Sequence, residues 1–181
     1  MNASRLKLLA LVAIAVAPVV AAYLLYFSMR GNEPWGTTNH GELLDPPPAA
    51  ATLSFVDARD GTTPVVFDDS RWRLLVVVPG ACDAACDDAL FQLRQLHVLL
   101  NNDADRVRRV LVLTGAVPGP LDELRARYPE LALLALRAGS LDDGIYIVDP
   151  HGNLVLRYAL ADAGKPVLED LQKLLRVSQI G

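Results

Sequence analysis

The chain has 181 residues, 52% of them hydrophobic and 21% charged, with a formal net charge of −4. That length holds one domain plus an appendage, and an acidic balance with no clustered Lys/Arg stripe excludes a strongly basic nucleic-acid binder. Two cysteines are too few for a disulfide-dense secreted scaffold.

The chain opens with Leu8 to Phe27, an uncharged apolar stretch long enough to cross a bilayer as a helix. Arg5 and Lys7 precede it, while Arg30 and Glu33 nearly balance after it. The positive-inside rule therefore puts the N-terminus in the cytoplasm and the remainder outside. The competing assignment is a cleaved signal peptide. Ala15-Val16-Ala17 has the composition of a cleavage site, but Pro18 follows it at once, and the apolar run continues to Tyr23-Leu24-Leu25-Tyr26-Phe27. We assign residues 1–29 as an uncleaved membrane anchor with its helix over about 8–28. Membrane helices tolerate a proline such as Pro18.

Residues 30–51 read as a Pro/Gly-rich tether that ends in Pro46-Pro47-Pro48. Within it, Trp35-Gly36-Thr37-Thr38-Asn39-His40-Gly41-Glu42-Leu43-Leu44 is not low complexity. It is either a docking segment or a plain tether. The globular domain is expected over 52–181. Leu53–Val56 and Pro64–Phe67 are short strands around Asp60-Gly61. Arg73–Val78 is almost wholly apolar, as a strand buried on both faces should be. Cys86–Leu100 carries Leu90, Leu93, Leu96 and Leu100 at helical spacing. Val110–Leu113 is a further buried strand. Leu121–Tyr128 is a short helix that Pro129 stops. Leu131–Leu136 follows as a strand or a connection. Ile145–Val148 and Leu154–Tyr158 flank a turn and form a hairpin. Val167–Val177 is an amphipathic closing helix. This order predicts an α/β fold, a thioredoxin-like mixed sheet flanked by helices on both faces.

Cys82 and Cys86 are the chain's only cysteines. They follow the Arg73–Val78 strand and a Pro79-Gly80 turn, with a helix expected to begin at them. Unpaired N–H groups at a helix start stabilise a thiolate and lower its pKa. Spacing i, i+4 would put both sulfurs on one helical face. The pair suits reversible disulfide exchange or a soft ion such as Cu(I). The alternative is an inert structural disulfide. In an exchange role Cys82, nearer the helix start, attacks and Cys86 resolves the mixed disulfide.

The anchor, the Pro-rich tether, Trp72-Arg73-Leu74-Leu75-Val76-Val77-Val78, Cys82-x-x-x-Cys86 and Tyr146-Ile147-Val148-Asp149-Pro150-His151-Gly152 together resemble the Sco/SenC family. Its members are membrane-anchored thioredoxin-like proteins that help deliver copper to cytochrome c oxidase. The resemblance covers roughly residues 52–181 plus the anchor. It implies a factor for cytochrome c oxidase assembly in the cell inner membrane, single-pass, with its C-terminal domain in the periplasm. Its partners would be the membrane, respiratory oxidase subunits and other copper or redox assembly factors. Cys82 and Cys86 would handle Cu(I) or exchange disulfides, in the manner of an assembly chaperone more than an enzyme. The alternative is a non-catalytic oxidase scaffold whose cysteines form a structural disulfide.

The family's third copper ligand, a histidine five residues ahead of the hairpin tyrosine, is replaced here by Leu141. Asp143 stands about where redox thioredoxins carry a cis-proline. Other histidines are poor substitutes. His97 lies ~16 Å beyond Cys86 along one helix, and His151 is in a hairpin turn. His40, in the tether, is the one free to swing in. Asp83, Asp87 and Asp88 suit capping and dipole complementation of the helix that begins there, though a negative charge beside a thiolate raises its pKa. Arg106, Arg108 and Arg109 read as a solvated loop.

Overall fold

The structure, a computed structural model, describes residues 3–28, 38–116 and 121–178. It divides into two units, Met1–Thr38 and Asn39–Gly181. Trp35, Gly36 and Thr37 of the expected docking segment lie outside the described residues.

The first unit is the helix α1 (Ala3–Ser28), which runs through Pro18. Its Ala10–Ser28 portion is long and apolar enough to cross a membrane, and none of it is buried within the protein. Its length and apolar composition are consistent with a single-pass membrane anchor.

The second unit is built on one eight-stranded sheet. Its strands are β1 (Glu42–Leu43), β2 (Ser54–Asp57), β3 (Pro64–Val65), β4 (Trp72–Pro79), β5 (Val107–Thr114), β6 (Ala132–Ala138), β7 (Gly144–Val148) and β8 (Leu154–Tyr158). The order across the sheet is β1-β8-β7-β4-β5-β6-β2-β3. The apolar run of β4 lies at the centre, parallel to β5 and antiparallel to β7. Its Leu74, Leu75, Val76 and Val77 have no exposed surface, as a strand covered on both sides should show. The helices are α2 (Ala84–Leu99), α3 (Asp122–Arg127) and α4 (Lys165–Val177).

Helices cover one face, where both faces were expected to carry them. Leu74 and Val76 of β4 pack there with Ala89 and Leu93 of α2, Val167 and Leu171 of α4, and Tyr128 just after α3. On the other face Leu75, Val77, Val112 and Tyr146 pack with Phe55, and no α-helical residue joins them. The handedness of the crossovers explains this. The β4–α2–β5 and β5–α3–β6 connections step in the same direction across the sheet, and right-handed crossovers then put both helices on one side. The link from β6 to β7, residues 139–143, is too short to hold a helix. Extended segments cover the second face instead, through Leu44, Leu53, Val65, Phe67 and Leu141.

The second unit begins at Asn39, not at residue 52, and so takes in the end of the expected tether. β1 pairs with β8, Leu44 donates to the Val155 carbonyl, and Ala50 donates to that of Gly152. A buried carboxylate fixes the turn before β1. Asp170, 2% exposed, accepts from the His40 amide at 2.6 Å and the Gly41 amide at 3.1 Å. It also accepts from the Tyr158 hydroxyl at 2.9 Å and Lys173 Nζ at 3.3 Å. Gly41 lies against the Tyr158 ring, where a Cβ would meet ring carbon at 2.5 Å; only glycine lets the backbone approach so closely.

The three arginines read as a solvated loop are differently placed. Arg108 and Arg109 belong to β5, and Arg109 is buried with Glu130 at 3.5 Å. Arg106 donates to the Leu175 and Ser178 carbonyls and holds the end of α4.

Candidate functional site

The chain leaves β4 at Pro79 and turns at Gly80, whose φ of 74° lies in the left-handed region. Gly80 still donates to the Thr114 carbonyl at 2.9 Å, so the turn stays fixed to the sheet edge. Cys82 follows in non-helical conformation. Asp83 is the N-cap of α2, and its Oδ1 accepts from the Cys86 amide at 3.0 Å. An aspartate at this position satisfies an amide that the helix leaves without a partner.

This corrects the expected geometry of the pair. α2 starts at Ala84, so Cys82 precedes the helix and only Cys86 is on it. Rather than two sulfurs along one helical face, the site joins a loop sulfur to a first-turn sulfur. They form a disulfide with Cα atoms 5.2 Å apart. Their exposure differs. Cys86 has no exposed surface and is part of the helix-covered core, while Cys82 is half-buried at its margin.

Cys82 lines a cavity of about 350 Å³ together with Asp83, Asp87, Glu123 and Arg127. The three aspartates expected to serve the helix start have separate partners. Asp83 caps. Asp87 accepts from Arg127 Nη1 at 2.6 Å and from the Tyr128 hydroxyl at 3.2 Å. Asp88 accepts from Gln92 Nε2 at 2.8 Å. Burial, then the neighbouring Asp87, pushes the Tyr128 hydroxyl above its ordinary pKa. Hydrogen bonding to Asp87 raises Arg127 in turn, and the two form an ion pair.

The histidines lie elsewhere. His97 Nε2 is 3.0 Å from the Ala104 carbonyl and 3.1 Å from that of Val107. His40 sits at Asp170, with its Nε2 2.8 Å from Glu169. His151 is exposed in the β7–β8 turn. Leu141 packs with the second cluster, on the sheet face opposite the cysteines. Asp143 lies just before Gly144, which pairs with Val77 near the end of β4. Among the described residues, no group of three or more His, Cys, Asp or Glu side chains could hold a metal ion.

Residues 72–178 match the family described as the transmembrane-like, thioredoxin-like, C-terminal domain. The chain belongs to this family. Its thioredoxin-like fold is also that of several solved structures. BsSco, a member of the Sco family of cytochrome c oxidase assembly proteins, aligns at 14% identity over 76% of this chain and 98% of its own, with a TM-score of 0.53. The thioredoxin domain of a thiol-disulfide oxidoreductase from Bacteroides vulgatus aligns at 13% identity over 76% and 99%, with a TM-score of 0.51. Yeast Sco1 aligns at 13% identity over 70% and 96%, with a TM-score of 0.50. No curated protein matches the chain at a significant level.

A thioredoxin-like domain with a disulfide at the C-terminal end of its central strand has a definite chemical capability. Cys82 borders the cavity, so an incoming thiolate would attack there and break the bond to Cys86. Attack at the fully buried Cys86 is blocked by the core around it. Reduction followed by reoxidation reverses the sequence.

Proposed function

We infer that this chain is a single-pass protein of the cell inner membrane whose thioredoxin-like domain, in the periplasm, serves cytochrome c oxidase assembly by thiol–disulfide exchange at Cys82–Cys86. The observation that carries this reading is the unequal exposure of the joined sulfurs, one open to a cavity and its partner buried at a helix start. Arg5 and Lys7 ahead of the apolar helix support the orientation. The oxidase is proposed by analogy with BsSco, whose fold the chain shares at low identity.

In the exchange step the reduced Cys82 thiolate attacks a disulfide on the partner. One partner sulfur leaves as a thiolate, and Cys82 is held in a mixed disulfide. Cys86 then attacks Cys82 Sγ and releases the second partner thiolate, which leaves the partner reduced and the pair oxidised. Copper enters this reading as cargo: the reduced pair offers Cu(I) two soft ligands. Leu141→His, titrated beside the wild type, tests whether a histidine at that position tightens Cu(I) binding.

The test compares wild type with Cys82→Ser/Cys86→Ser in cells that lack the chain. Membrane fractionation and cytochrome c oxidase activity are the readouts. The expected result is a membrane-bound wild type that restores activity and a double variant, equally abundant, that does not. Equal restoration by both leaves the scaffold reading. A Cu(I) competition titration of the reduced full chain separates cargo binding from exchange alone.

A further inference from the structure

We propose that Asp83 is a positioning residue that makes Cys86 a poor leaving group and so slows opening of the Cys82–Cys86 disulfide by an incoming thiol, an inference that rests on the exchange reading above. A thiolate in the first turn of a helix ordinarily gains from unpaired N–H groups and the positive end of the helix dipole. Here the Cys86 amide is already taken, by Asp83 Oδ1 at 3.0 Å. The group that takes it is an anion, fixed within one turn of the sulfur that must become a thiolate. Burial of Cys86 works in the same direction, since it disfavours the charged form.

The other charges around the sulfur do not offset Asp83. Asp87 is adjacent in sequence, but Arg127 and the Tyr128 hydroxyl are both bound to it. Asp88 is exposed and bound to Gln92. Glu123, which also lines the cavity, adds a further negative charge. The one cation lining the cavity, Arg127, is thus committed to Asp87, and among the described residues no cation pairs with Asp83. The two carboxylates that straddle Cys86 are therefore unequal. Asp87 is ion-paired with Arg127, whereas Asp83 has no cation partner among the described residues.

In the opening reaction an external thiolate RS⁻ forms a bond to Cys82 Sγ. The Cys82–Cys86 bond breaks, and its electron pair leaves with Cys86 as a thiolate, which then takes a proton from water. A second RS⁻ attacks the mixed disulfide, frees Cys82 as a thiolate and yields RSSR. A leaving thiol of lower pKa departs faster, so the first step is the one in which the charge of Asp83 is felt.

The variants Asp83→Asn and Asp83→Ser each keep a capping oxygen and lose the charge. The oxidised full chain, in detergent, is exposed to 2-mercaptoethanol and separately to cysteamine, whose ammonium offsets its thiolate. The rate of opening is read by acid quenching and thiol labelling. Both variants should open roughly two- to fivefold faster than wild type, by the same factor with either reagent and with unchanged melting temperature. In a Cys82→Ser background, thiolate absorbance should show the Cys86 pKa falling by about half a unit or more when Asp83 becomes Asn. Asp83→Glu, which keeps the charge, should open no faster than wild type. A wild type that opens, with variants that match its rate or gain speed only with the anionic reagent, overturns the proposal alone, since Asp83 then does not act through Cys86. A disulfide that neither reagent opens, in wild type or variants, overturns the exchange reading and the proposal with it.

Discussion

Asp83 and Asp170 both receive backbone amides, yet one carboxylate closes structure and the other caps a helix beside a disulfide. Asp170 is buried and saturated, with two amides, a hydroxyl and an ammonium converging on it. Asp83 is exposed and takes one amide, beside a disulfide with one reachable sulfur. The buried carboxylate joins residues 39–41 to β8 and α4 across 129 and 130 positions of sequence. A buried polar network of this kind is favourable only when every member is satisfied. At the cavity Asp87 is likewise shared by Arg127 and the Tyr128 hydroxyl, whereas Asp83 takes only the Cys86 amide.

Removing Asp170 should break this comparison most severely. Asp170→Ala leaves two amides and the Tyr158 hydroxyl without their acceptor, which costs about 3 kcal/mol. Chemical denaturation should show that loss, while the opening rate of the disulfide stays at the wild-type value. The cost also has a pH signature. Burial pushes the Asp170 carboxyl up, but the Gly41 amide, the Tyr158 hydroxyl, the His40 amide and Lys173 together hold it below its ordinary 3.8. A group whose folded pKa is depressed stabilises the fold above its unfolded pKa and loses that contribution as pH falls through the folded value. The difference between wild type and Asp170→Ala should thus be full at neutral pH and shrink below about pH 4.

The disulfide should come second. Reduction of Cys82–Cys86, or Cys82→Ser/Cys86→Ser, frees a very short loop and should cost about 2 kcal/mol. The sharper expectation is where the loss appears. Amide exchange should quicken in the first turn of α2 and remain unchanged at Leu44, which donates to β8 at the other region. Faster exchange at Leu44 on reduction would show the two regions to be coupled.

The sequence declares one of these regions more openly than the other. Two cysteines after an apolar run and a Pro-Gly turn announce the site, and the short apolar runs of β4, β5 and β7 announce the sheet. The cysteines draw the predicted start of α2 too early, since the helix begins at Ala84. Asp83 between them, an N-cap residue, was the signal for a later start. The arginines of β5 were misread because charged residues usually mark loops, whereas Arg109 is buried against Glu130 on the strand. The docked segment was hidden because no local pattern links His40 to Asp170. One trace was available: Asp170 falls among the core positions Val167, Leu171 and Leu175 of α4, and a carboxylate there must find donors. The uncovered second face follows from crossover direction, which depends on strand order rather than on any single segment.

The smallest of these effects, Tyr158→Phe, tests whether the docking network is one unit. The hydroxyl is a single donor among several, so its loss should cost about 1.5 kcal/mol. The phenyl ring remains against Gly41, so packing there is preserved. Burial, then the hydrogen bond and charge of Asp170, pushes the Tyr158 hydroxyl far above its ordinary 10.0. In the folded state it therefore stays protonated when the unfolded chain has begun to ionise. The unfolded state then binds fewer protons, and stability falls as pH rises above about 10. Tyr158→Phe removes that contribution, so wild type and variant should converge in stability under alkaline conditions while differing at neutral pH. Urea melts at pH 7 and above pH 10 measure both values. A constant difference across that range would mean that the hydroxyl contributes nothing specific to Asp170 and that the backbone amides alone hold the segment in place.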